Sequence, residues 1–135
     1  MSNTAIKDLF LASLERCAAS EDFIPSFYQR FLSSPEEIQQ KFSNTDFEHQ
    51  NIMLLRSLRL SGSATSGDPK ALEEIRERAE THDRYHLDIK PELYDYWLDA
   101  VLKTASETDP QWDSDIDHAW QSTLHHVINQ MKKHY

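Results

Sequence analysis

The 135-residue sequence contains little glycine and almost no cysteine. Its two glycines, Gly62 and Gly67, both lie in one short segment. A β-rich protein of this length would need more glycine for its turns, so the sequence predicts an all-α fold. The single cysteine, Cys17, excludes an internal disulfide and favours a reducing, cytoplasmic compartment.

Basic residues and long apolar runs are also scarce. Fourteen Lys and Arg against 23 Asp and Glu give a formal net charge of −9. This acidic balance argues against nucleic acid or an anionic membrane surface as the main partner. No run approaches the roughly 18 apolar residues of a membrane span, and the N-terminus shows no secretion signal. We therefore expect one soluble domain over residues 1–135.

Apolar residues recur at helical spacing in seven stretches, which begin near residues 4, 22, 35, 45, 69, 91 and 110. Capping signatures at Ser34 and Thr45 mark the starts of the third and fourth helices. The fourth helix is expected to end at Leu60, with a flexible linker over residues 61–67. Asp109, followed by proline, is expected to open the last helix.

Spacing alone identifies few residues that carry chemistry. Gly-rich phosphate loops, zinc-binding spacings and a nucleophile elbow are absent. Among the seven histidines, His82 ends an apolar helix face, and His86 follows four residues later. Spacing leaves both a structural role and a ligand role open for His82.

The segment from Phe27 to Phe42 is the first of five that resemble bacterial globins. In flavohaemoglobins and other bacterial single-domain globins, a Phe-Tyr pair is followed by a proline and then by a phenylalanine that stacks on the haem. Here the pair is Phe27 and Tyr28, the proline is Pro35, and Phe42 falls fourteen residues after Tyr28, which is the family's spacing.

The other four segments follow in the family's order. Residues 50–54 resemble the distal segment, and residues 75–82 resemble the proximal helix that ends in the iron-binding histidine. Residues 89–94 resemble the start of the next helix, and Trp120 with the apolar stripe after it resembles the last helix. The sequence is thus similar to a bacterial single-domain globin, which implies about seven helices packed around a haem pocket.

This resemblance implies roles for individual residues around haem b. His82 would ligate the iron, and Phe42 would stack on the haem. Tyr28 and Gln50 would donate hydrogen bonds to bound dioxygen. Two further residues, Leu54 and Met53, would wall the distal pocket, and Tyr94 would face the proximal side.

Several alternatives to these roles remain open. His86 is the rival iron ligand, although choosing it would lose the matching offsets of Ile75 and Ala79; otherwise it is a surface residue or a partner for a haem propionate. His49 would be the distal residue if the register were shifted by one. Tyr28 could instead be a core tyrosine bonded to a backbone carbonyl.

The last helix departs from the flavohaemoglobin pattern. Those proteins carry a glutamate there that bonds the proximal histidine, whereas this sequence has Met131, Lys132 and Lys133 in that region. Less electron density would reach bound dioxygen, which argues against efficient peroxidase-like or nitric-oxide-consuming chemistry.

The resemblance implies reversible binding of dioxygen and other diatomic gases rather than an enzyme. One alternative is a nitric oxide dioxygenase that depends on a separate reductase. A second is a gas-sensing globin, similar to globin sensor domains, that acts through a signalling partner. A third is a globin fold that has lost haem and serves a structural or stress-signalling role. The sequence leaves transport, storage, sensing and scavenging open.

Overall fold

The computed structural model describes residues 3–33, 35–83 and 87–133, and these ranges contain helices and no strand. The helices are α1 (Asn3–Ala18), α2 (Phe23–Phe31), α3 (Glu36–Lys41), α4 (Phe47–Thr65), α5 (Pro69–His82), α6 (Pro91–Thr108) and α7 (Ser114–Lys133). The all-α prediction is confirmed. None of these helices combines the length and the apolar character needed to cross a membrane.

The helices pack around α7, which contacts α1, α4, α5 and α6. α2 packs mainly on α6, and α1 also packs on α4. Trp120 of α7 and Phe10 of α1 are fully buried, and their rings meet edge to face with centroids 4.8 Å apart. Burial of such rings is among the largest apolar contributions to the stability of a domain.

A buried polar network joins the first helix to the end of α6. The Asp109 carboxylate accepts hydrogen bonds from Ser13 Oγ at 2.5 Å and from the Arg16 guanidinium at 2.7 and 2.9 Å. Trp120 Nε1 donates to the same Ser13 Oγ at 2.9 Å. The Asp109 side chain is 0% exposed, so its charge is balanced by Arg16 within the protein.

Asp109 therefore does not open α7 as the sequence predicted. α7 begins at Ser114, and the Asp113 carboxylate accepts the N–H of Ile116 at 2.9 Å. The two aspartates before α7 thus have different roles, because Asp109 is buried and Asp113 is exposed.

The expected linker over residues 61–67 is also wrong for most of its length. α4 continues to Thr65, and Ser61 and Gly62 are buried. A Cβ added to Gly62 would lie 2.8 Å from Leu11 Cδ2, so this glycine permits the close crossing of α1 and α4. The turn into α5 contains Ser66 and Gly67, and Gly67 has a φ of +89°.

The N-terminus of α4 is capped by Asp46 and not by Thr45 as predicted. Asp46 Oδ1 accepts the backbone N–H groups of Glu48 and His49 at 3.1 and 3.3 Å. A carboxylate there satisfies unpaired donors and also suits the positive end of the helix dipole. The other predicted cap, Ser34, lies outside the described residues.

Candidate functional site

Helices α4 and α5 form the two arms of a hairpin that is closed at one end. Near the turn, Ala64 of α4 and Ala71 and Ile75 of α5 form one buried apolar cluster. Gln50 lies fifteen residues before the end of α4, and His82 lies thirteen residues after the start of α5. At 1.5 Å per residue, both are about 20 Å from the closed end. The two predicted site residues therefore occupy matching levels of the two arms.

His82 is partly buried at the C-terminal end of α5 and is held by its own helix. Its Nδ1 lies 2.7 Å from the carbonyl oxygen of Arg78. A carbonyl can only accept, so Nδ1 carries the proton and Nε2 keeps its lone pair. Burial lowers the pKa of His82, which favours the neutral ring. A neutral imidazole with its Nε2 lone pair available is the form that binds a metal.

Tyr28 projects from α2 and is 8% exposed. Its buried hydroxyl has no hydrogen-bond partner. Burial raises the pKa of Tyr28 to about 12, and the nearby Gln50 side chain opposes this rise. Gln50 is thus close to the phenol, although the two groups form no hydrogen bond of normal geometry. Buried polar atoms are nearly always paired, so an unpaired one needs an explanation. The Tyr28 hydroxyl is a donor to which the described residues offer no acceptor.

The aromatic rings of Phe42 and Phe47 pack against the Tyr28 ring and against each other. Phe42, which follows α3, lies with its ring centroid 6.3 Å from that of Tyr28 and 5.6 Å from that of Phe31. Phe47, at the start of α4, lies 5.2 Å from Tyr28 and stacks on Phe42 at 6.3 Å. Phe47 was not among the predicted residues. An aromatic residue directly after the Asp46 cap is the signal that could have identified it.

Comparison with known proteins decides the family. The Globin family model matches residues 25–131, which is most of the chain. The chain belongs to the globin family. It is also similar to a solved protein of Pseudomonas aeruginosa PAO1, PA3967, described as structurally highly homologous to a human hemoglobin. The two are 34% identical with a TM-score of 0.91, over 96% of this chain and 98% of that one. No curated protein sequence gave a match.

The other predicted distal residues of this globin have different exposures. Leu54 is buried at 5% exposure, and Met53 is partly buried. His49 is exposed, whereas Gln50 is partly buried and lies close enough to Tyr28 to oppose the rise in the pKa of its hydroxyl. The geometry therefore favours Gln50 over His49 as the residue beside Tyr28.

Tyr94 and His86 are the residues that the resemblance assigns to the proximal side, and only Tyr94 lies within the described residues. Tyr94 is partly buried on α6 and packs against the main core, and burial raises its pKa. His86 belongs to the undescribed residues 84–86, so the choice between His82 and His86 stays a prediction.

In place of the flavohaemoglobin glutamate, α7 offers no carboxylate to His82. Met131 packs against the cluster that contains Ile75, and Lys132 Nζ pairs with Asp95 Oδ1 at 3.0 Å. The Nδ1–H of His82 is instead donated to the neutral carbonyl of Arg78.

These residues fit a haem, the cofactor that globins in general carry. Haem iron needs only one protein ligand, which His82 can provide through Nε2. The described residues contain no group of three or more His, Cys, Asp or Glu that could hold a metal by themselves. Phe47, which is 36% exposed and belongs to the aromatic cluster, offers an apolar surface that a flat aromatic cofactor would cover.

Proposed function

We propose that this globin binds haem b through His82 and reversibly binds dioxygen and other diatomic gases. The observation that supports this best is the buried Tyr28 hydroxyl, which has no acceptor and lies beside the Gln50 amide. When bound, haem supplies an iron centre at which diatomic gases bind reversibly. The proposal covers one globin domain acting in the cytoplasm, where the unpaired Cys17 stays reduced.

The distal residues of this chain supply hydrogen bonds to the gas. A phenol and an amide N–H are both hydrogen-bond donors, so Tyr28 and Gln50 would each donate to a gas ligand that carries partial negative charge. Each such bond would contribute about 1 kcal/mol or more, and the Tyr28 hydroxyl is already buried and needs no further desolvation. Leu54 and the aromatic rings of Phe42 and Phe47 exclude water from these donors.

The proximal hydrogen bond favours reversible binding over nitric oxide dioxygenation, the enzyme alternative. A carboxylate partner makes an imidazole more anionic, but His82 donates to a backbone carbonyl and Met131 occupies the region of the family's glutamate. As an iron ligand, His82 would therefore donate less electron density than a histidine that is bonded to a carboxylate. This suits a protein that releases its gas unchanged.

The test is haem reconstitution of a His82→Gly variant. We expect the wild type to give the absorption spectrum of a histidine-ligated haem, and the variant to lose it. Added imidazole should restore the spectrum of the variant, because the small base can occupy the space left by the side chain.

Two control variants accompany this experiment. His86→Ala and His49→Ala should keep the wild-type spectrum. If His86→Ala loses haem and His82→Gly keeps it, the ligand assignment is wrong. If the wild type itself takes up no haem, the proposed function is wrong and a haem-free role remains.

A further inference from the structure

Arg78 lies on the same face of α5 as His82. With 100° per residue, it is about 40° from His82 and about 60° from Ile75 around the helix axis. Ala71, Ile75 and Ala79 on this face are buried. Arg78 is itself partly buried, on a helix that packs against both α4 and α7.

The charge of Arg78 is poorly compensated in this position. The carboxylate that acts on it, that of Glu74, is paired with Arg56 of α4 at 2.7 Å. Burial lowers the pKa of Arg78; Glu74 partly opposes this, and the like charge of Arg56 adds to it. Within the described ranges, the Arg78 guanidinium forms no hydrogen bond or ion pair of its own. A partly buried guanidinium normally has such a partner.

The Arg56–Glu74 pair also shows where along the hairpin Arg78 lies. This ion pair links the two arms, and Arg78 follows Glu74 by one helical turn in the direction of His82. Along α5, Arg78 therefore lies between the linked part of the hairpin and the level of His82. An anion bound at this level could pair with the Arg78 guanidinium, which is not already paired with a carboxylate of the described residues.

We propose that Arg78 binds a propionate carboxylate of the haem, as a second anchor of the cofactor besides His82. This inference rests on the proposed function. Haem b is a flat apolar ring with two carboxylates, and a guanidinium offers them paired N–H donors that a lysine cannot match. The same contact would give the Arg78 charge its missing partner. Its methylene stem would cover apolar surface beside His82.

The experiment measures the rate of haem loss to excess apomyoglobin, for wild type and for Arg78→Met. The methionine keeps much of the stem and removes the charge. We expect haem loss to become about tenfold faster, which is the effect of losing one charge-assisted hydrogen bond. Arg78→Lys should lie between the two. Arg76→Met, which removes an exposed arginine from the same helix, is the matched control and should lose haem at the wild-type rate.

Haem dimethyl ester distinguishes an ion pair from simple packing. Its propionates are esterified and carry no charge. Wild type and Arg78→Met should release this ester at the same rate if Arg78 acts through a carboxylate. An undiminished difference with the ester, or no difference with haem itself, would overturn the proposal. A wild type that binds neither form would instead reject the proposed function.

The apoprotein provides an independent readout. Arg78→Met removes a poorly compensated charge, so the melting temperature of the apoprotein should stay the same or rise. A structural role for Arg78 predicts a clear fall. A lower apoprotein melting temperature together with an equal effect on haem and on its ester would overturn the proposal.

Discussion

The Tyr28 hydroxyl lies buried beside the Gln50 side chain, yet the two groups do not form a normal hydrogen bond. An unpaired buried hydroxyl by itself destabilises the protein, but it stabilises a bound ligand that accepts a hydrogen bond from it. The same group should therefore affect apoprotein stability and gas binding in opposite directions.

Replacing Tyr28 with phenylalanine should stabilise the apoprotein. The ring volume is kept and an unpaired hydroxyl is removed, so the free energy of unfolding in urea should rise by about 1 kcal/mol. The effect should grow at alkaline pH. Burial raises the pKa of Tyr28 from 10.0 to about 12, so the phenol ionises more readily in the unfolded chain. The wild type therefore loses stability as the pH rises from 10 toward 12, whereas the Phe variant does not. An apoprotein destabilised by the change would show that the hydroxyl has a protein partner.

The same substitution should speed release of dioxygen from the haem-bound protein. Loss of one donor worth about 1–2 kcal/mol corresponds to a roughly five- to thirtyfold faster off-rate in stopped-flow measurements. Carbon monoxide carries little negative charge on its outer atom, so its off-rate should change much less. Similar changes for both gases would indicate a steric role for Tyr28.

Gln50→Leu should also accelerate dioxygen release, since it replaces the second donor with an apolar side chain of similar size. If both donors contact one ligand, the double variant with Tyr28→Phe should be non-additive. Independent, additive effects would place the Gln50 amide away from the gas. His49→Leu is the control at the neighbouring, exposed position, and should leave the rate unchanged.

Asp109→Asn should destabilise the fold by about 3 kcal/mol at neutral pH, because it leaves the Arg16 charge without its partner. Burial alone would raise the pKa of Asp109, but hydrogen bonds from Arg16 and Ser13 outweigh it and hold the pKa below 3.8. The stabilisation is therefore complete above pH 3.8 and is lost as the pH falls through the lower folded-state pKa.

The pH dependence distinguishes this ion pair from simple packing. In urea titrations, the difference between wild type and Asp109→Asn should shrink below about pH 4. Asp115→Asn, on the exposed first turn of α7, should have little effect at any pH. A constant difference down to pH 2 would mean that the Asp109 charge does not contribute.

Cys17 should resist thiol reagents in the native protein. Its side chain is buried, and burial raises the pKa of the thiol to about 12, so very little reactive thiolate is present at pH 8. Labelling by a disulfide reagent should be at least about a hundredfold slower in buffer than in urea. Rapid labelling of the native protein would show that α1 opens readily.

The sequence was sufficient to predict the helices, because their apolar spacing and prolines are local signals. The errors came where tertiary packing decides. Gly62 suggested a turn, but it is buried where α1 crosses α4, and nothing local identifies that contact. Asp109 resembled a helix cap until its partner Ser13, 96 residues earlier, was known. At the site, the resemblance placed Tyr28 and Gln50, whereas Phe47 and Arg78 depend on how α4 meets its neighbours.

The link from Ser13 to Asp109 and Trp120 has a consequence for synthesis on the ribosome. Ser13 is made early, but its partners are 96 and 107 residues further along the chain. α1 must therefore wait for nearly the whole chain before it can complete its contacts, and contacts of such long range slow folding. The segments that carry Tyr28, Gln50 and His82 emerge before this link can close. Haem uptake before release from the ribosome would thus meet a chain whose first and last helices are still apart.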